Sequence, residues 1–311
     1  MLHLPCLPAN ALRCLRLPAL TVLILAALNA WAGPGANWRD GWRIDRPTPA
    51  TAVQPAGQAG APALAVLTLE GEGDRWQARV DNRLAGPVQV ALASSPGAPA
   101  LPGLPVQTVV AASASVVVVH VQPPAGTTTI RLALTAVPGD PTARPQDVAY
   151  QLPFDAARIQ VSQAPQGRFS HGDAENRDAI DFALPEGTAV LAARAGTVMQ
   201  VQTDFQGNGQ DRDHDLGRAN LVRVLHEDGS MAVYAHLQHN GALVRQGEQV
   251  QAGQRIGLSG NTGYSAAPHL HFAVQVNAGM RLRSIPARIV SPQGELRFAR
   301  AADETGASAL H

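Results

Sequence analysis

The segment Gly263-Tyr264-Ser265-Ala266-Ala267-Pro268-His269-Leu270-His271-Phe272 places two histidines two residues apart in an apolar run. In a β-strand, residues i and i+2 point to the same face, so His269 and His271 are predicted to converge on one spot. Leu270 and Phe272 alternate with them, which indicates a strand with one buried face and one face that carries a site. Two surface histidines on a solvated strand face are the alternative interpretation.

Further polar residues of the metal-binding type lie in the same half of the chain. Histidines are concentrated there, at His171, His214, His226, His236, His239, His269 and His271. Asp181 lies in the apolar run Ala179–Ala183, where a carboxylate is costly unless it is paired or binds a metal. Zinc in hydrolytic sites is held by three nitrogen or oxygen ligands, with a fourth position left for water. The pattern therefore indicates a zinc-dependent hydrolytic site.

Two β-rich segments make up most of the chain. Residues 64–155 contain short β-prone runs separated by turns rich in Gly, Pro and Asn, which is typical of a small β-sandwich. The histidine of this segment, His120, is predicted to be a packed or surface residue and not a ligand. Residues 156–298 are again β-rich, with frequent glycines. The predicted fold class is all-β, with a small sandwich-like accessory domain followed by a β-sheet-rich domain.

Residues 1–32 have the features of a cleaved signal peptide. Arg13 and Arg16 precede the apolar run Leu17–Leu28, and the small-residue cleavage pattern Ala30–Ala32 follows. A membrane anchor is the alternative, but the run is short for a span, which needs about 20 residues. We therefore expect export to the periplasm or outside the cell, with no stable membrane insertion after cleavage.

Composition excludes several other functions. The 24 basic and 24 acidic residues balance to a formal net charge of +0, which argues against nucleic-acid binding. Both cysteines, Cys6 and Cys14, lie inside the predicted signal peptide, so the mature chain has no disulfide. Residues 33–63 are predicted to be a Pro/Ala/Gly-rich linker and residues 299–311 a flexible tail. The oligomeric state stays open.

The second β-rich segment resembles the LytM/lysostaphin-type zinc endopeptidases, which cut peptide bonds in bacterial peptidoglycan. The similarity extends from about Gly167 to Val276 and rests on several motifs in one order. They are Ser170-His171, Ala179–Phe182, Pro185–Thr188, Gly196–Val198, His226–Gly229, Tyr234–Leu237, Val250–Gly257, Ser259–Gly263 and Pro268–Phe272. Each motif alone is a weak signal, and the ordered series carries the resemblance.

The resemblance implies a role for each of five polar residues. His171, Asp181 and His271 would bind Zn²⁺, while His236 and His269 would be catalytic residues beside the bound water and the developing oxyanion. Zinc would lower the pKa of water to about 7 and polarise the scissile carbonyl. A neighbouring imidazole would take the water's proton and later protonate the leaving amine.

One spacing departs from the family pattern. Many members have the first histidine ligand four residues before the aspartate, whereas nine residues, Gly172–Ile180, lie between His171 and Asp181. No histidine lies closer to Asp181. We therefore predict that Gly172–Arg177 loops out and that His171 is kept as the ligand.

The other histidines of this segment have structural interpretations. His226 precedes Glu227–Gly229, a predicted hairpin turn, and His214 and His239 are predicted to lie in loops. The run Val244–Gln254 resembles the hairpins of lipoyl and biotinyl carriers, but the chain has no lysine to accept a cofactor.

The acidic run Asp211–Gly217 resembles a calcium-binding loop. It lacks the full pattern, because Leu216 stands at the glycine position and Val222 at the position of the bidentate glutamate. A solvated acidic loop near the site is predicted instead.

The function predicted from the sequence is hydrolysis of peptide bonds in peptidoglycan, in stem peptides or cross-links, by an exported zinc metalloendopeptidase. A non-catalytic peptidoglycan-binding protein or amidase activator on the same fold is the main alternative, and such members are degenerate at the ligand positions. A general secreted protease acting on Gly-rich proteins is a third reading. The first β-rich segment is expected to position substrate or to cover the groove.

Overall fold

A computed structural model describes residues 51–53, 63–72, 75–123, 129–155 and 158–298. The predicted signal peptide, most of the predicted linker and the predicted tail lie outside the described residues. Strands form nearly all the regular structure that is described, which confirms the all-β prediction. No helix in the described part of the chain is long and apolar enough to cross a membrane.

The strands and the one short helix of the described residues follow one another closely. In the first half they are β1 (Thr51–Val53), β2 (Ala65–Glu72), β3 (Arg75–Asn82), β4 (Val88–Ser94), β5 (Val106–Val110), β6 (Ser115–Val121), β7 (Arg131–Pro138), β8 (Ala149–Gln151) and β9 (Val161–Gln163). Next come β10 (Ile180–Ala183), β11 (Ala189–Leu191), β12 (Gly196–Gln202), β13 (Asn208–Gly209), α1 (Arg212–Asp215), β14 (Asn220–Leu225) and β15 (Met231–Ala242). The last are β16 (Gln249–Val250), β17 (Arg255–Ser259), β18 (Gly263–Tyr264), β19 (His269–Asn277), β20 (Leu282–Ile285), β21 (Arg288–Ser291) and β22 (Gly294–Glu295).

The first β-rich segment is a sandwich of two sheets. One sheet has the strand order β1-β7-β4-β5 and the other β2-β3-β6. Alternate residues of β4, Val88, Val90 and Leu92, are fully buried and share one apolar core with Ala78 and Val80 of β3. Two sheets that bury their facing sides in one core form a β-sandwich, as predicted. Strand β1, which pairs with β7, comes from the segment predicted as a linker.

The second β-rich segment is built on one large sheet with the strand order β16-β12-β14-β15-β19-β10-β9. Alternate residues on one face pack into a second core, in which Tyr234 of β15 lies 5.3 Å from Phe272 of β19 between ring centroids. Tyr150, Leu152 and Phe154, which precede the predicted domain boundary, also belong to this core. Burial of one face leaves the opposite face of the sheet available for a site.

The sandwich contacts the open face of the large sheet at one end. Leu84 of the sandwich packs against Met199 and Met231 of β12 and β15. The backbone N–H of Ala85 donates to the carbonyl of Met199 at 2.9 Å. This apolar contact closes the sheet face at the level of Met231.

Candidate metal centre

Asp181 lies at the centre of β10, directly opposite His271 of β19 in the antiparallel register. Its neighbours Ile180 and Phe182 point into the core and are fully buried, so the alternation turns Asp181 to the other face. Asp181 as a whole is only 5% exposed. A buried charge of this kind must be compensated by partners, and here the partners are imidazoles.

Three side chains converge on one carboxylate oxygen. Nδ1 of His271 lies 2.8 Å from Oδ1 of Asp181, and Nε2 of His171 lies 3.2 Å from the same oxygen. All three residues are buried, and one candidate ligand atom from each lies within 4.8 Å of the others. Among the described residues, this is the cluster of histidine and acidic side chains that could hold a metal ion.

The hydrogen bond on the far side of His171 determines what this ring offers to the site. Nδ1 of His171 donates to the carbonyl of Ala164 at 3.0 Å. In a neutral ring, Nε2 then carries a lone pair that faces the lone pairs of Asp181 Oδ1. Two acceptors in contact inside a buried site require a proton or a cation between them. Two imidazole nitrogens and one carboxylate oxygen are a donor set that suits a divalent transition metal such as zinc.

Asp181 carries the negative charge of the cluster. Burial by itself raises the pKa of Asp181, but the hydrogen bonds and charges of His171 and His271 outweigh it. The pKa of the carboxyl therefore lies well below its usual range. Asp181 is ionised at neutral pH, as a metal ligand must be.

His236 reaches the site because β15 is irregular at this residue. Asn220 of β14 pairs with Leu237, whereas Leu221 pairs with Ala235, so His236 is an extra residue in its strand. Its φ of 61° is in the left-handed region, which is uncommon for a non-glycine residue. A bulge of this kind redirects a side chain. It frees His236 from the simple alternation that would send it to the core side.

His236 and His269 have the same hydrogen-bonding arrangement. Nδ1 of His236 donates to the carbonyl of Thr262 at 2.7 Å, and Nδ1 of His269 donates to the carbonyl of Ala267 at 2.8 Å. Both rings therefore keep Nε2 free to accept a proton when they are neutral. The rings are 4.4 Å apart between centroids, and Nε2 of His269 lies 4.0 Å from Oδ1 of Asp181.

Burial keeps both of these rings neutral. It lowers the pKa of His236 to about 3, with further lowering from the neighbouring His269 and His271. The pKa of His269 is also lowered, mainly by burial, although Asp181 offsets part of the effect. Neutral imidazoles with an available Nε2 are suited to take up a proton.

The loop that carries His171 is ordered by its own side chains. Oδ1 of Asp173 accepts hydrogen bonds from the backbone N–H groups of Glu175 and Asn176, both at 3.0 Å. At the base of the loop, the N–H of Gln166 donates to the carbonyl of Arg177 at 2.7 Å. The long spacing before Asp181 is thus taken up in turns, and His171 stays in the cluster.

The cluster opens onto a groove of about 1010 Å³ on the exposed face of the large sheet. The residues of its floor alternate along the strands with core residues. They include Gln200, Leu221, Arg223, Val233, Ala235, His271 and Gln275. One wall is the loop of residues 173–176, and Leu134 and Pro138 of the sandwich line the closed end. An extended peptide could therefore approach the cluster along the sheet.

Residues 175–282 match peptidase family M23. This segment is an M23 peptidase domain. It contains Asp181, His236, His269 and His271, and His171 lies four residues before the matched segment (175 − 171). The resemblance drawn from the sequence motifs is confirmed at the level of the family.

Named relatives of the M23 domain include cell-wall enzymes. The chain is 39% identical over 98 residues to an uncharacterized metalloprotease of Haemophilus influenzae, covering 32% of this chain and 18% of the relative. It is 40% identical over 96 residues to the peptidoglycan DD-endopeptidase ShyA of Vibrio cholerae, covering 31% and 19%. The chain therefore spans about a fifth of the length of these curated relatives.

Among solved structures, the catalytic domain of the antimicrobial peptidase lysostaphin from Staphylococcus simulans is similar to the M23 domain. The identity is 31%, with 39% of this chain and 82% of that chain covered and a TM-score of 0.29.

Other histidines of the M23 domain lie away from the cluster. His226 is buried at the β14–β15 hairpin, and its Nδ1 donates to the carbonyl of Ala195 at 2.8 Å, consistent with the structural role predicted. The loop prediction was wrong for His239, which lies in β15, because this strand continues past the bulge and pairs with β17. It was also wrong for His214, which lies in α1.

The acidic run at Asp211 folds differently from the solvated loop that was predicted. The side chain of Asp211 caps α1 by accepting from the N–H groups of Asp213 and His214. Asp215 is buried and accepts from the N–H of Asp211 at 3.0 Å. The carboxylates are thus used to close a single helical turn.

Two groups that shape the candidate site were not predicted from the sequence. Thr262 holds His236 through its carbonyl, while its hydroxyl donates to the carbonyl of Leu237 at 2.7 Å. Arg223 on the groove floor is the second such group. Its charge in the middle of an otherwise apolar strand was the signal that marked it.

Proposed function

We propose that this chain is an exported zinc metalloendopeptidase that hydrolyses peptide bonds of bacterial peptidoglycan. The observation that carries the proposal is the convergence of His171, Asp181 and His271, with candidate ligand atoms within 4.8 Å of one another. The imidazoles of His236 and His269 lie beside this cluster, and His236 also lines the groove. Such a combination of metal ligands, proton acceptors and substrate space supports hydrolysis more than binding alone.

Zinc is the metal proposed, held by Nε2 of His171, Nδ1 of His271 and the carboxylate of Asp181. Three nitrogen and oxygen ligands are the number that leaves a coordination position for water in catalytic zinc sites. When bound, zinc acts as a Lewis acid that lowers the pKa of water and polarises a carbonyl. Ala164 orients His171 through the hydrogen bond at Nδ1, and such outer contacts strengthen metal binding.

His236 and His269 are proposed to handle protons. Each ring is fixed by a backbone carbonyl at Nδ1 and presents Nε2 as an acceptor. Nε2 of one ring takes a proton from the attacking water, and the imidazolium formed returns a proton to the leaving amine. The second ring donates to the developing oxyanion from Nε2 when it is protonated there, because its Nδ1–H is used by a backbone carbonyl. Burial, which favours neutral rings before reaction, supports the first of these roles.

Peptidoglycan is proposed as the substrate because similar proteins are named for it. ShyA of Vibrio cholerae is named as a peptidoglycan DD-endopeptidase, and Mpg of Neisseria meningitidis as a DD-carboxypeptidase/endopeptidase. Export to the periplasm or beyond is proposed from the basic, apolar and small-residue pattern of residues 1–32. The two suggestions agree, because peptidoglycan lies outside the cytoplasmic membrane.

Mass spectrometry of fragments released from purified sacculi tests this proposal. The mature protein, residues 33–311, is incubated with sacculi after loading with zinc, after chelation, and after zinc is restored. We expect peptide cleavage in the first and third samples only, and the fragment masses identify the bond. Cleavage of a Gly-rich protein but not of sacculi would favour the general protease. Binding to sacculi without cleavage of either would favour the non-catalytic alternative.

A further inference from the structure

Arg223 is a buried cation on the floor of the groove. It is 7% exposed, and it faces the groove because Val222 and Val224 on either side of it in β14 point into the core. Opposite it on the neighbouring strand is Val233, which also lines the groove. A guanidinium group is almost never buried without a carboxylate or another strong acceptor.

The partners of Arg223 are neutral amides. Nη1 donates to Oε1 of Gln275 at 2.6 Å, and Nε donates to Oε1 of Gln200 at 3.3 Å. Nη2 has no hydrogen-bond partner among the described residues, and none of their carboxylates forms an ion pair with Arg223. Two amides orient the group without neutralising its charge. The remaining N–H donors of Arg223 are therefore available to a ligand in the groove.

Two other arginines differ from Arg223 because each is paired with a carboxylate. Arg194 donates to Asp228 at 2.8 Å and Arg288 to Glu295 at 2.9 Å, and both have a raised pKa. Burial instead lowers the pKa of Arg223 to about 10, and the charge of Glu175 at the groove wall offsets only part of this. Arg223 is still a cation at neutral pH, and its charge is incompletely compensated.

Arg223 lies between the metal cluster and the closed end of the groove. In the sheet register, Leu221, Ala235 and His271 form one row, and Arg223 lies in the next row toward Met231. Two strand spacings and two residues along the strand place Arg223 about 12 Å from His271. The apolar contact at Met231 follows one row later. The arginine is thus within reach of a peptide only a few residues long.

We propose that Arg223, oriented by Gln200 and Gln275, is a subsite for a carboxylate of the bound peptide, a few residues from the scissile bond. The inference rests on the proposed peptidase function. The guanidinium forms charge-assisted, bidentate hydrogen bonds with carboxylates, which makes it a specific reader of this group. The closed end of the groove suits a chain-terminal carboxylate, and an acidic side chain supplies the same chemistry.

Selective amidation of a peptide substrate tests this subsite. Three versions of one stem peptide are compared: unmodified, amidated at the C-terminus, and amidated at the side-chain carboxyl. With the zinc-loaded protein, one of the two amidations is expected to lower kcat/KM roughly 10- to 100-fold, the range for a charge-assisted hydrogen bond. The sensitive position tells which carboxylate is bound. Equal kcat/KM for all three peptides would overturn the proposal.

Variants at position 223 separate a direct contact from a structural role. R223Q is expected to lose the preference for the sensitive carboxylate, R223K to keep part of it, and the exposed control R255Q to discriminate as the wild type does. If R223Q fails to fold, R223K and the three peptides still decide the matter. An R223Q protein that folds and keeps the full preference would contradict the proposal.

A binding measurement distinguishes failure of the subsite from failure of the peptidase function. If the wild type cleaves none of the peptides, the proposed function fails. Titration calorimetry with the unmodified and amidated peptides then still measures the subsite. Roughly 10-fold tighter binding of the free carboxylate by the wild type, lost in R223Q, would support it. Equal binding of all peptides would refute it.

Discussion

Asp181 and His271 face each other across β10 and β19, with Nδ1 of His271 2.8 Å from Oδ1 of Asp181. On the other face of these two strands, Ile180, Phe182 and Phe272 are fully buried in the core. The separation of the two side chains is therefore set by the pairing of the sheet. Only His171 is brought to the site by a loop. A site held mainly by paired strands is a precise one.

Replacement of Asp181 by asparagine is expected to remove metal binding and activity together. D181N keeps the shape of the side chain but removes the negative charge that a divalent cation requires. We expect zinc affinity to fall by about 100-fold or more and hydrolysis to fall with it. Metal analysis after dialysis and a peptide-cleavage assay measure the two effects. The control D178N, three residues away and outside the cluster, should bind about one zinc per chain as the wild type does.

His269 is expected to behave differently from the ligands. H269A should keep about one zinc per chain, because the three proposed ligands are intact. The rate of hydrolysis should fall about 10²- to 10⁴-fold, the range for loss of a proton-transferring group. Zinc content and kcat measured on the same preparation check this. Loss of zinc from H269A would show that His269 is itself a ligand.

Thr262 is predicted to control the position of His236. In T262V the hydroxyl that donates to the carbonyl of Leu237 is lost, and the N–H of Asn220, which donates to it at 3.0 Å, becomes an unsatisfied buried donor. We expect a loss of about 1–3 kcal/mol in the free energy of unfolding. A fall in kcat with little change in zinc content should accompany it. The exposed control T68V in β2 should change neither quantity. A kcat unaltered in T262V would contradict the positioning role.

His226 is predicted to make stability depend on pH. Burial lowers its pKa in the folded protein to about 4, and Nε2 has no hydrogen-bond partner in the part of the chain that the structure describes. In the unfolded chain the pKa is about 6.5, so the stabilisation is fully present above pH 6.5 and is lost as the pH falls toward 4. At about pH 5 the loss amounts to about 2 kcal/mol.

Urea unfolding of the metal-free wild type and of H226Q, at about pH 7.5 and about pH 5, measures this effect. All other groups titrate in both proteins, so the difference between their pH dependences reports His226. The wild type should lose about 2 kcal/mol more than the variant on acidification. Parallel losses in the two proteins would mean that His226 is not kept neutral by burial.

The sequence predicted those parts of the site that follow from strand alternation. His269 to Phe272 alternate between site and core as expected, and Asp181 in its apolar run is turned to the site by the same rule. Strand β6 (Ser115–Val121) follows from local sequence as well, because a β-branched run between turn residues is a strong signal.

Features that depend on tertiary contacts were not predicted. The bulge at His236 depends on the pairing of β15 with β14, and the continuation of β15 to Ala242 depends on its pairing with β17. Strand β5 has a sequence of weak alternation and is stabilised by pairing with β4. Likewise, the short helix after Asp211 depends on a cap whose geometry no residue pattern in the sequence made clear.

Hydrolysis is proposed to require a metal held by His171, Asp181 and His271. The decisive measurement is the rate of peptide cleavage while zinc is added stepwise to the metal-free protein. We expect no cleavage without metal and a rate that rises to a plateau at about one zinc per chain. We expect no such rise for H171Q or D181N at the same zinc concentrations. Full cleavage by the metal-free protein, or the same titration curve for these variants, would contradict it.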